Sequence, residues 1–530
     1  MTENRQTIEQ HWHLTKPAVE SDRGLVASQH YLASDIGARI LEQGGNAVDA
    51  AIATGLALGV VEPWMSGIGG GGYMTLYLAK TREVKVVDFG MRAPFEATSD
   101  DYPLAGEGTN ASDAFNWPKV VGDVNVHGPL SVAVPGYIRG INLALREFGT
   151  RSWHEVIEPA CRQAEAGLPI DWFSSQKINQ WSRALNTYDE TRKTYLADGL
   201  PPVADIEGYL KRLPLGNLAA TYRTLQKEGA DAYYSGPLAD SITRDLQATG
   251  SKITITDLEQ YEASISEPLT TAYRGNTFYA SGPLTAGPSI IHALEKLQEN
   301  YQPGSDRPET ETYIQYVEAL RSAYADRLEN LGEGPETKVP GNTSHVCVAD
   351  AEGNVVSLTQ TIMSAFGSRI MLPGSGILMN NGMMWFDPTP GGPNSVMGGR
   401  RPLCNMCPTL LMAQDGSMTA MGACGGRKIF PAIFQLTSLL TDFGLSVNDA
   451  AHEARVDVSG TEKVIAMDHM ADEALIRLKA TYPECVALPN GVSPNPFALP
   501  QIVRRNPDGL MEGGCFIPSP HAKVSAPGNP

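Results

Sequence analysis

The sequence NTSHVCVADAEGNVVSLTQT, residues 342–361, contains two segments in which apolar and polar residues alternate, separated by the turn DAEGN. Such alternation on both sides of a Gly-Asn turn is typical of an antiparallel β-hairpin. With the turn centred near Glu352, residues at equal distances from it face each other across the two strands. Thr343 and Thr361 are then about 5 Å apart. The pattern therefore predicts two threonines side by side at the open end of a hairpin.

The regions around the hairpin alternate between helical and strand-like patterns. A Pro/Gly-rich loop precedes Asn342, and the chain from about 100 to 340 is mainly helical. Strand-like runs follow at TLLMA (409–413) and SMTAMGA (417–423), and helical patterns return at 441–455 and 471–480. Strands flanked by helices in this order predict a layered α/β sandwich.

The N-terminal region contains a tightly packed segment. Residues 1–24 are polar and are expected to form an arm, and LVAS (25–28) reads as a short strand. A helix rich in small residues is predicted over Val48–Val60. The glycine run Gly69–Gly72 resembles a phosphate-binding loop only superficially, because no Lys-Ser/Thr pair follows it. We expect these glycines to allow close backbone packing against the hairpin.

Composition excludes several functional classes. The chain has 530 residues, 42% of them hydrophobic, and a formal charge of −18, so nucleic acid and anionic membranes are not expected partners. The odd count of seven cysteines does not suggest a disulfide framework. Cys404-x-x-Cys407 is only half of a zinc motif, and no metal or organic cofactor is expected. No signal peptide or membrane span is evident, which favours a cytoplasmic location.

Six further segments accompany the hairpin motif: DFGMRAP (88–94), GPLADSITRDLQATGSKITITDLEQY (236–261), EALRSAYADR (318–327), GSGILMNNGMMWFDP (374–388), RRPLCNMCPTLLM (400–412) and GACGGRKIFPAIFQ (422–435). In this order they resemble the γ-glutamyltransferase family of N-terminal-nucleophile hydrolases, over residues 25 to about 455. The resemblance implies a four-layer αββα sandwich built from two fragments, 25–342 and 343–530, which form one intertwined catalytic unit. It also implies that the chain cuts itself between Asn342 and Thr343.

The chemistry explains why a threonine follows the cleavage site. A threonine hydroxyl needs a base within hydrogen-bonding distance to act as a nucleophile. Once freed, the α-amine of Thr343 is such a base, with a reference pKa of about 7.7–8.0. Thr361 is then positioned to orient the hydroxyl, and a Thr343–His345 dyad is a weaker alternative. By resemblance, Gly425 and Gly426 supply the backbone N–H groups of an oxyanion hole.

The chain departs from the family at the positions that bind substrate. Trp385 stands where the family has a carboxylate, and Cys404-Asn405 replaces a pair of serines. Gly90 replaces an arginine, whereas Arg92 follows two residues later and can bind a carboxylate or serve a structural role. The candidate substrate-binding residues are Arg92, Asn381, Trp385, Cys404 and Asn405.

The sequence thus predicts an autoprocessed threonine amidohydrolase or acyltransferase that acts on a γ-glutamyl or related carboxylate-bearing amide. Loss of the anionic partner for an α-ammonium group makes a small non-glutamyl amide, oxamate-like or acyl-antibiotic, an alternative substrate. A non-catalytic binding protein on the same fold is the second alternative. The expected partners are a small-molecule amide and the cleaved fragment of the same chain, and a higher oligomer is left open.

Overall fold

The structure is a computed structural model that describes residues 16–109, 117–331, 342–459, 463–492 and 495–528. The first part of the predicted N-terminal arm and the loop before Asn342 lie outside these residues. Among the described helices, none is both long and apolar enough to cross a membrane.

Helices and strands alternate along the described chain. The helices are α1 (Tyr31–Glu42), α2 (Ala47–Val61), α3 (Tyr137–Phe148), α4 (Trp153–Ala166), α5 (Trp172–Leu185), α6 (Asp189–Tyr195), α7 (Leu218–Glu228), α8 (Pro237–Thr249), α9 (Ile255–Glu259), α10 (Gly287–Asn300), α11 (Thr310–Leu331), α12 (Ile429–Thr441), α13 (Val447–His452) and α14 (Asp472–Thr481). The strands are β1 (Val19–Ser21), β2 (Gly24–Ser28), β3 (Gly71–Leu78), β4 (Glu83–Phe89), β5 (Leu104–Thr109), β6 (Pro118–Val120), β7 (Leu168–Ile170), β8 (Lys211–Leu213), β9 (Ser264–Ser266), β10 (Leu269–Tyr273), β11 (Asn276–Ala280), β12 (Asn342–Asp350), β13 (Val355–Met363), β14 (Thr409–Met412), β15 (Met418–Cys424), β16 (Val456–Asp457), β17 (Ile465–Met467), β18 (Val486–Leu488), β19 (Leu499–Arg505), β20 (Met511–Cys515) and β21 (Lys523–Ser525).

Two seven-stranded antiparallel sheets form the centre of the molecule. The first sheet has the order β1-β20-β19-β15-β14-β11-β10, and the second has the order β21-β2-β12-β13-β3-β4-β9. The sheets face each other through contacts of β12 and β13 with β15. Helices α1, α2 and α3 cover the second sheet, whereas α10, α12 and α13 cover the first. This arrangement confirms the predicted four-layer αββα sandwich.

The hairpin predicted from the sequence is β12–β13, at the middle of the second sheet. Its register runs from Ala349↔Val355 to Ser344↔Gln360, as a turn centred on Glu352 requires. The register shifts at the open end, where Asn342 pairs with Met363. Thr343 is therefore opposite two residues of β13, because β13 carries one extra residue at this β-bulge.

Small residues allow α2 and the glycine run to pack closely on this hairpin. All residues of α2 are buried, and Asn46 caps its N-terminus by accepting the backbone N–H groups of Val48 and Asp49. A β-carbon added at Gly70 would lie 2.1 Å from the Thr361 carbonyl oxygen. One added at Gly72 would lie 2.3 Å from the Thr359 carbonyl oxygen. The glycine run therefore serves close packing, as predicted.

Candidate active site

Thr343 lies at the buried start of β12, and only 4% of its surface is exposed. Its cross-strand neighbour Thr361 is 1% exposed and pairs on the other side with Gly71 of β3. The Thr361 hydroxyl accepts the backbone N–H of Met363 at 2.7 Å. Met363 has a positive φ of 81°, a conformation that costs a non-glycine residue energy. The bulge and this strained residue fix the local backbone next to Thr343.

A chain of buried hydrogen bonds anchors the residue that follows Thr343. The Ser344 hydroxyl accepts a hydrogen bond from Ser66 at 3.0 Å, and Ser66 accepts one from the Gln360 amide at 2.8 Å. Gln360 also donates to the Gly55 carbonyl of α2 and accepts from the Tyr137 hydroxyl. These contacts tie the start of β12 to the helical layer. The sequence does not predict this network, because isolated polar residues in strands form no recognisable pattern.

Gly425 and Gly426 lie at the turn between β15 and α12. Both have positive φ values, 142° and 58°, and a β-carbon at Gly425 would approach Ala498 to 3.0 Å. The turn leads into the N-terminal end of α12, where backbone N–H groups and the helix dipole favour negative charge. This is the environment that an oxyanion requires.

The stacking of the two sheets brings this turn toward Thr343. In β15, Gly422 packs against the ring of His345 in β12, closely enough that an added β-carbon would clash with it. Farther from the open end, Ala420 packs in the same cluster as Cys347. Moving along β12 toward Thr343 therefore means moving along β15 toward Gly425. The nucleophile and oxyanion candidates approach each other at one end of the inter-sheet layer.

His345 is occupied by other contacts between the sheets. Its Nδ1 atom shares a hydrogen bond with the Thr359 hydroxyl at 2.9 Å, and its Nε2 atom is 3.2 Å from the Cys347 sulfur. Burial lowers the pKa of this histidine to about 3, so the imidazole is neutral at ordinary pH. These contacts favour a packing role over the Thr343–His345 dyad.

Apolar side chains fill the region that corresponds to the family's substrate-binding positions. Trp385 is 5% exposed and Cys404 is 1% exposed, and burial raises the pKa of the Cys404 thiol to about 12. Both belong to a group that we call the Met/Trp cluster, composed of Tyr73, Met91, Met363, Met383, Met384, Trp385, Phe386, Leu403, Cys404 and Met406. This lining suits an apolar group better than an α-ammonium group.

Asn381 makes structural hydrogen bonds. Its amide nitrogen donates to the Val126 carbonyl at 2.8 Å and to the Ser364 hydroxyl at 2.9 Å. Its amide oxygen accepts the Ser364 backbone N–H at 3.0 Å. The side chain thus clamps the segment that follows β13, and a substrate contact for Asn381 stays a prediction.

Arg92 is also engaged in the protein. Its guanidinium donates to the carbonyl oxygens of Asp257 and Gln260 at 3.0 Å and packs on the Phe95 ring. These contacts favour the structural alternative over carboxylate binding. At Gly90, where the family has an arginine, an added β-carbon would lie 2.7 Å from the Tyr73 hydroxyl. The space for the family's arginine is therefore taken.

Arg327, the last residue of the YADR segment, fixes the position of Cys404 and Asn405. It is 2% exposed and donates to the Cys404 carbonyl at 2.9 Å and to the Asn405 side-chain oxygen at 3.3 Å. It also bonds the Thr285 carbonyl and the Ser289 hydroxyl. Arg327 belongs to a motif that the sequence shares with the family, but nothing in the sequence alone indicates this role.

Comparison with known proteins agrees with this geometry. The family model described as gamma-glutamyltranspeptidase matches residues 33–340 and 333–515. A glutathione hydrolase proenzyme of Bacillus subtilis is 31% identical over 86% of this chain and 84% of its own. An acylase ACY 1 proenzyme of a Pseudomonas species is 34% identical over 94% of this chain and 93% of its own.

The fold has a close counterpart among solved structures. A cephalosporin acylase from Bacillus halodurans superposes with a TM-score of 0.84, at 24% identity, over 99% of both chains. Together with the sequence relatives, the hairpin and its flanking motifs identify the chain. It belongs to the gamma-glutamyltranspeptidase family of N-terminal-nucleophile hydrolases.

Proposed function

We propose that the protein is an amidohydrolase that activates itself by cutting the Asn342–Thr343 bond and then uses Thr343 as its nucleophile. The observation that carries this proposal is the buried position of Thr343 at the start of β12, two residues before His345, whose ring packs against Gly422. Gly422 in turn lies three residues before Gly425. The names of the relatives, proenzymes of a glutathione hydrolase and an acylase, support self-cleavage and amide hydrolysis.

The self-cleavage step uses the Thr343 hydroxyl. Its oxygen attacks the Asn342 carbonyl carbon, the peptide C–N bond breaks, and the freed α-amine takes the proton. Water then hydrolyses the resulting ester, which returns the hydroxyl and leaves a carboxylate on Asn342. In turnover, the α-amine accepts the hydroxyl proton while the oxygen attacks the substrate amide, and it later gives that proton to the leaving amine. Water or a second amine releases the acyl group.

We further propose that the preferred acyl group carries a carboxylate but no α-ammonium. An ammonium requires an anionic partner, and the Met/Trp cluster offers indole, thioether and thiol groups instead. The γ-glutamyl group is the second candidate, supported by the glutathione hydrolase relative. The non-catalytic alternative has less support, since a binding protein has no need for the paired threonines and the glycine turn together.

Two measurements test this proposal. Intact-mass spectra of the purified protein should give two fragments that join at Asn342/Thr343, whereas the Thr343→Ala variant should stay whole. Hydrolysis of glutaryl and γ-glutamyl 4-nitroanilide, which differ only in the α-ammonium group, should then favour the glutaryl compound at least tenfold. A chain that stays whole on prolonged incubation would support the binding protein instead. A preference for the γ-glutamyl compound would favour the second substrate.

A further inference from the structure

A cavity of about 110 Å³ adjoins the proposed oxyanion turn. Its walls come from both predicted fragments: Glu62, Trp64 and Lys177 precede the cleavage site, and Gly425 and Phe497 follow it. The cavity also touches Met65, whose carbonyl accepts the backbone N–H of Ile362, the residue after Thr361.

Three side chains on the cavity wall have polar atoms without a hydrogen-bond partner among the described residues. The unpaired atoms are the amide nitrogen and the amide oxygen of Gln29, the Oε2 atom of Glu62 and the Nε1 atom of Trp64. Their residues are only 2%, 3% and 1% exposed, respectively. An unpaired buried polar group destabilises the folded protein, so such groups normally mark a bound ligand or ordered water.

The charge of the wall indicates which ligand would satisfy these groups. The Lys177 ammonium lies 5.0 Å from the centre of the Phe173 ring on the same wall. Burial raises the pKa of the Glu62 carboxyl to about 8, so this group is largely protonated at neutral pH and can donate a hydrogen bond. Lys177, the Trp64 indole N–H, the Gln29 amide nitrogen and protonated Glu62 can then each donate a hydrogen bond. Lys177 would repel a cation, so this set of donors favours an anionic oxygen group.

The arginines near the Met/Trp cluster give a second reason to look for a carboxylate site here. The arginine that the family places at Gly90 is missing, and Arg401 of the neighbouring segment is paired with Asp88. Arg92 is held by backbone carbonyls. A carboxylate on the substrate therefore needs donors elsewhere, and this cavity offers them beside Gly425.

We propose that this cavity binds the carboxylate group of the substrate's acyl chain, through Lys177, Trp64 and Gln29. This inference rests on the proposed amidohydrolase function, which it extends by locating the substrate's charged end. The apolar walls supplied by Phe173 and Phe497 would contact the methylene groups that lead from the carboxylate to the amide at Thr343.

The first test measures binding without turnover. Glutarate and acetate are titrated calorimetrically into the Thr343→Ala protein, with glutaramide and acetamide as neutral controls. The carboxylates should bind at least tenfold more tightly than the amides. Lys177→Met and Trp64→Phe should each weaken carboxylate binding about 10- to 100-fold, the effect of one charge-assisted hydrogen bond. Arg183→Met, which removes an exposed cation from the same helix α5, should change nothing.

The second test links the cavity to the substrate. The self-cleaved parent protein is compared with its self-cleaved cavity variants on two substrates: glutaryl 4-nitroanilide, and the analogue in which a carboxamide replaces the free carboxylate. Lys177→Met and Trp64→Phe should raise KM for the carboxylate compound about 10- to 100-fold and leave the carboxamide compound unaffected. Equal losses on both compounds, or unchanged KM with both, would overturn the proposal. A third outcome would also overturn the proposal: glutarate binding that needs Lys177, together with an unchanged substrate preference in the variants. The cavity would then bind a free carboxylate rather than the substrate.

The binding test separates this inference from the proposed function. If the parent cuts itself and hydrolyses amides but the Thr343→Ala protein binds no carboxylate, the cavity assignment alone is refuted. If the Thr343→Ala protein binds carboxylates but the parent neither cuts itself nor hydrolyses amides, the enzyme proposal is refuted and the substrate assignment loses its basis. Lys177 is half-buried, so Lys177→Met keeps the test interpretable if Trp64→Phe, which replaces a buried indole by a smaller ring, fails to fold.

Discussion

At the scale of single residues, the hydroxyl of Thr361 is the group whose removal is most informative. It accepts the Met363 backbone N–H at 2.7 Å, so its own hydrogen is what it can donate to a neighbouring oxygen. Thr361→Val keeps the shape and removes the hydroxyl. We expect self-cleavage and amide hydrolysis to slow about 10- to 100-fold, because a hydrogen bond to a developing charge is worth about 1.5–3 kcal/mol. The free energy of unfolding should also fall by about 1–3 kcal/mol, because the buried Met363 N–H loses its acceptor.

The matched control is Thr359→Val, two residues earlier on the same strand. The Thr359 hydroxyl bonds the His345 ring rather than the cleavage site. This variant should lose stability but keep its rate of self-cleavage, followed by mass spectrometry over time. If the Thr359 and Thr361 variants slow cleavage equally, Thr361 has only a structural role.

His345 gives a prediction about pH. An unfolded histidine has a pKa of about 6.5, whereas burial lowers the pKa of folded His345 to about 3. As the pH falls below about 6.5, the unfolded state binds the proton first, so folding stability decreases by up to about 1.4 kcal/mol per pH unit. In His345→Gln, urea unfolding between about pH 6.5 and 4 should therefore show a shallower loss of stability. The exposed His469→Gln variant should parallel the parent, and parallel curves for both variants would contradict the burial argument.

The sequence located the paired threonines and the glycine turn, because strand alternation and motif order both depend on nearby residues. It could not assign Arg92 or Asn381, since their partners lie far away in the chain. Arg92 binds carbonyls of residues 257 and 260, and Asn381 binds residues 126 and 364. Whether each side chain is available to a substrate depends on its hydrogen-bond partners in the fold, and its residue type alone does not reveal them.

At the scale of elements, the glycine run provides a test of close backbone packing. A β-carbon at Gly70, the residue immediately before β3, would lie 2.1 Å from the carbonyl oxygen of Thr361 in the buried strand β13. Gly70→Ala should therefore destabilise the protein by more than about 3 kcal/mol and block self-cleavage by displacing Thr361. Urea unfolding and intact-mass spectra measure the two effects.

Gly67→Ala is the control, since its added β-carbon would meet nothing closer than 3.9 Å. This variant should stay within about 1 kcal/mol of the parent and cut itself normally. Similar losses of stability in the Gly67 and Gly70 variants would mean that backbone entropy, rather than contact with the hairpin, explains why glycines occur here.

The helix α12 shows where element prediction from sequence failed. The sequence pattern predicts a helix over 441–455, whereas α12 covers Ile429–Thr441 and α13 covers Val447–His452. Every residue of α12 up to Leu440 is buried, so its sequence lacks the polar face that reveals a helix on a surface. The hairpin β12–β13 was predictable because one of its signals, the DAEGN turn, is independent of burial.

At the scale of the whole molecule, the chain termini join the two sheets together. Strand β1 near the N-terminus pairs with β20, and β2 pairs with β21, about 500 residues away in each case. Lys16 donates to carbonyls of residues 520 and 522. Such pairings leave no periodic signal in a single sequence, so the layered architecture was predictable by resemblance but the strand order was not.

This interlocking predicts how the two fragments behave after the cut. Strands β12 and β13 from the second fragment lie between β2 and β3 from the first. Residues 346–350 of β12 pair with β2, and residues 355–361 of β13 pair with β3. Breaking one peptide bond at the start of β12 removes none of those pairs. The cleaved protein should therefore elute as a single species in native size-exclusion chromatography and separate only in denaturant. Its unfolding midpoint should match that of uncut Thr343→Ala within a few degrees.

Expression of the second fragment alone provides the complementary test. Without β2 and β3, the β12–β13 hairpin would expose two unpaired edges and the apolar face that α2 covers in the intact chain. Residues 343–530 expressed alone should therefore be aggregated or unfolded by circular dichroism. Mixing them with separately expressed residues 1–342 should restore activity only after refolding together. A second fragment that folds alone would show two independent domains joined at the cut, contrary to the shared sheets.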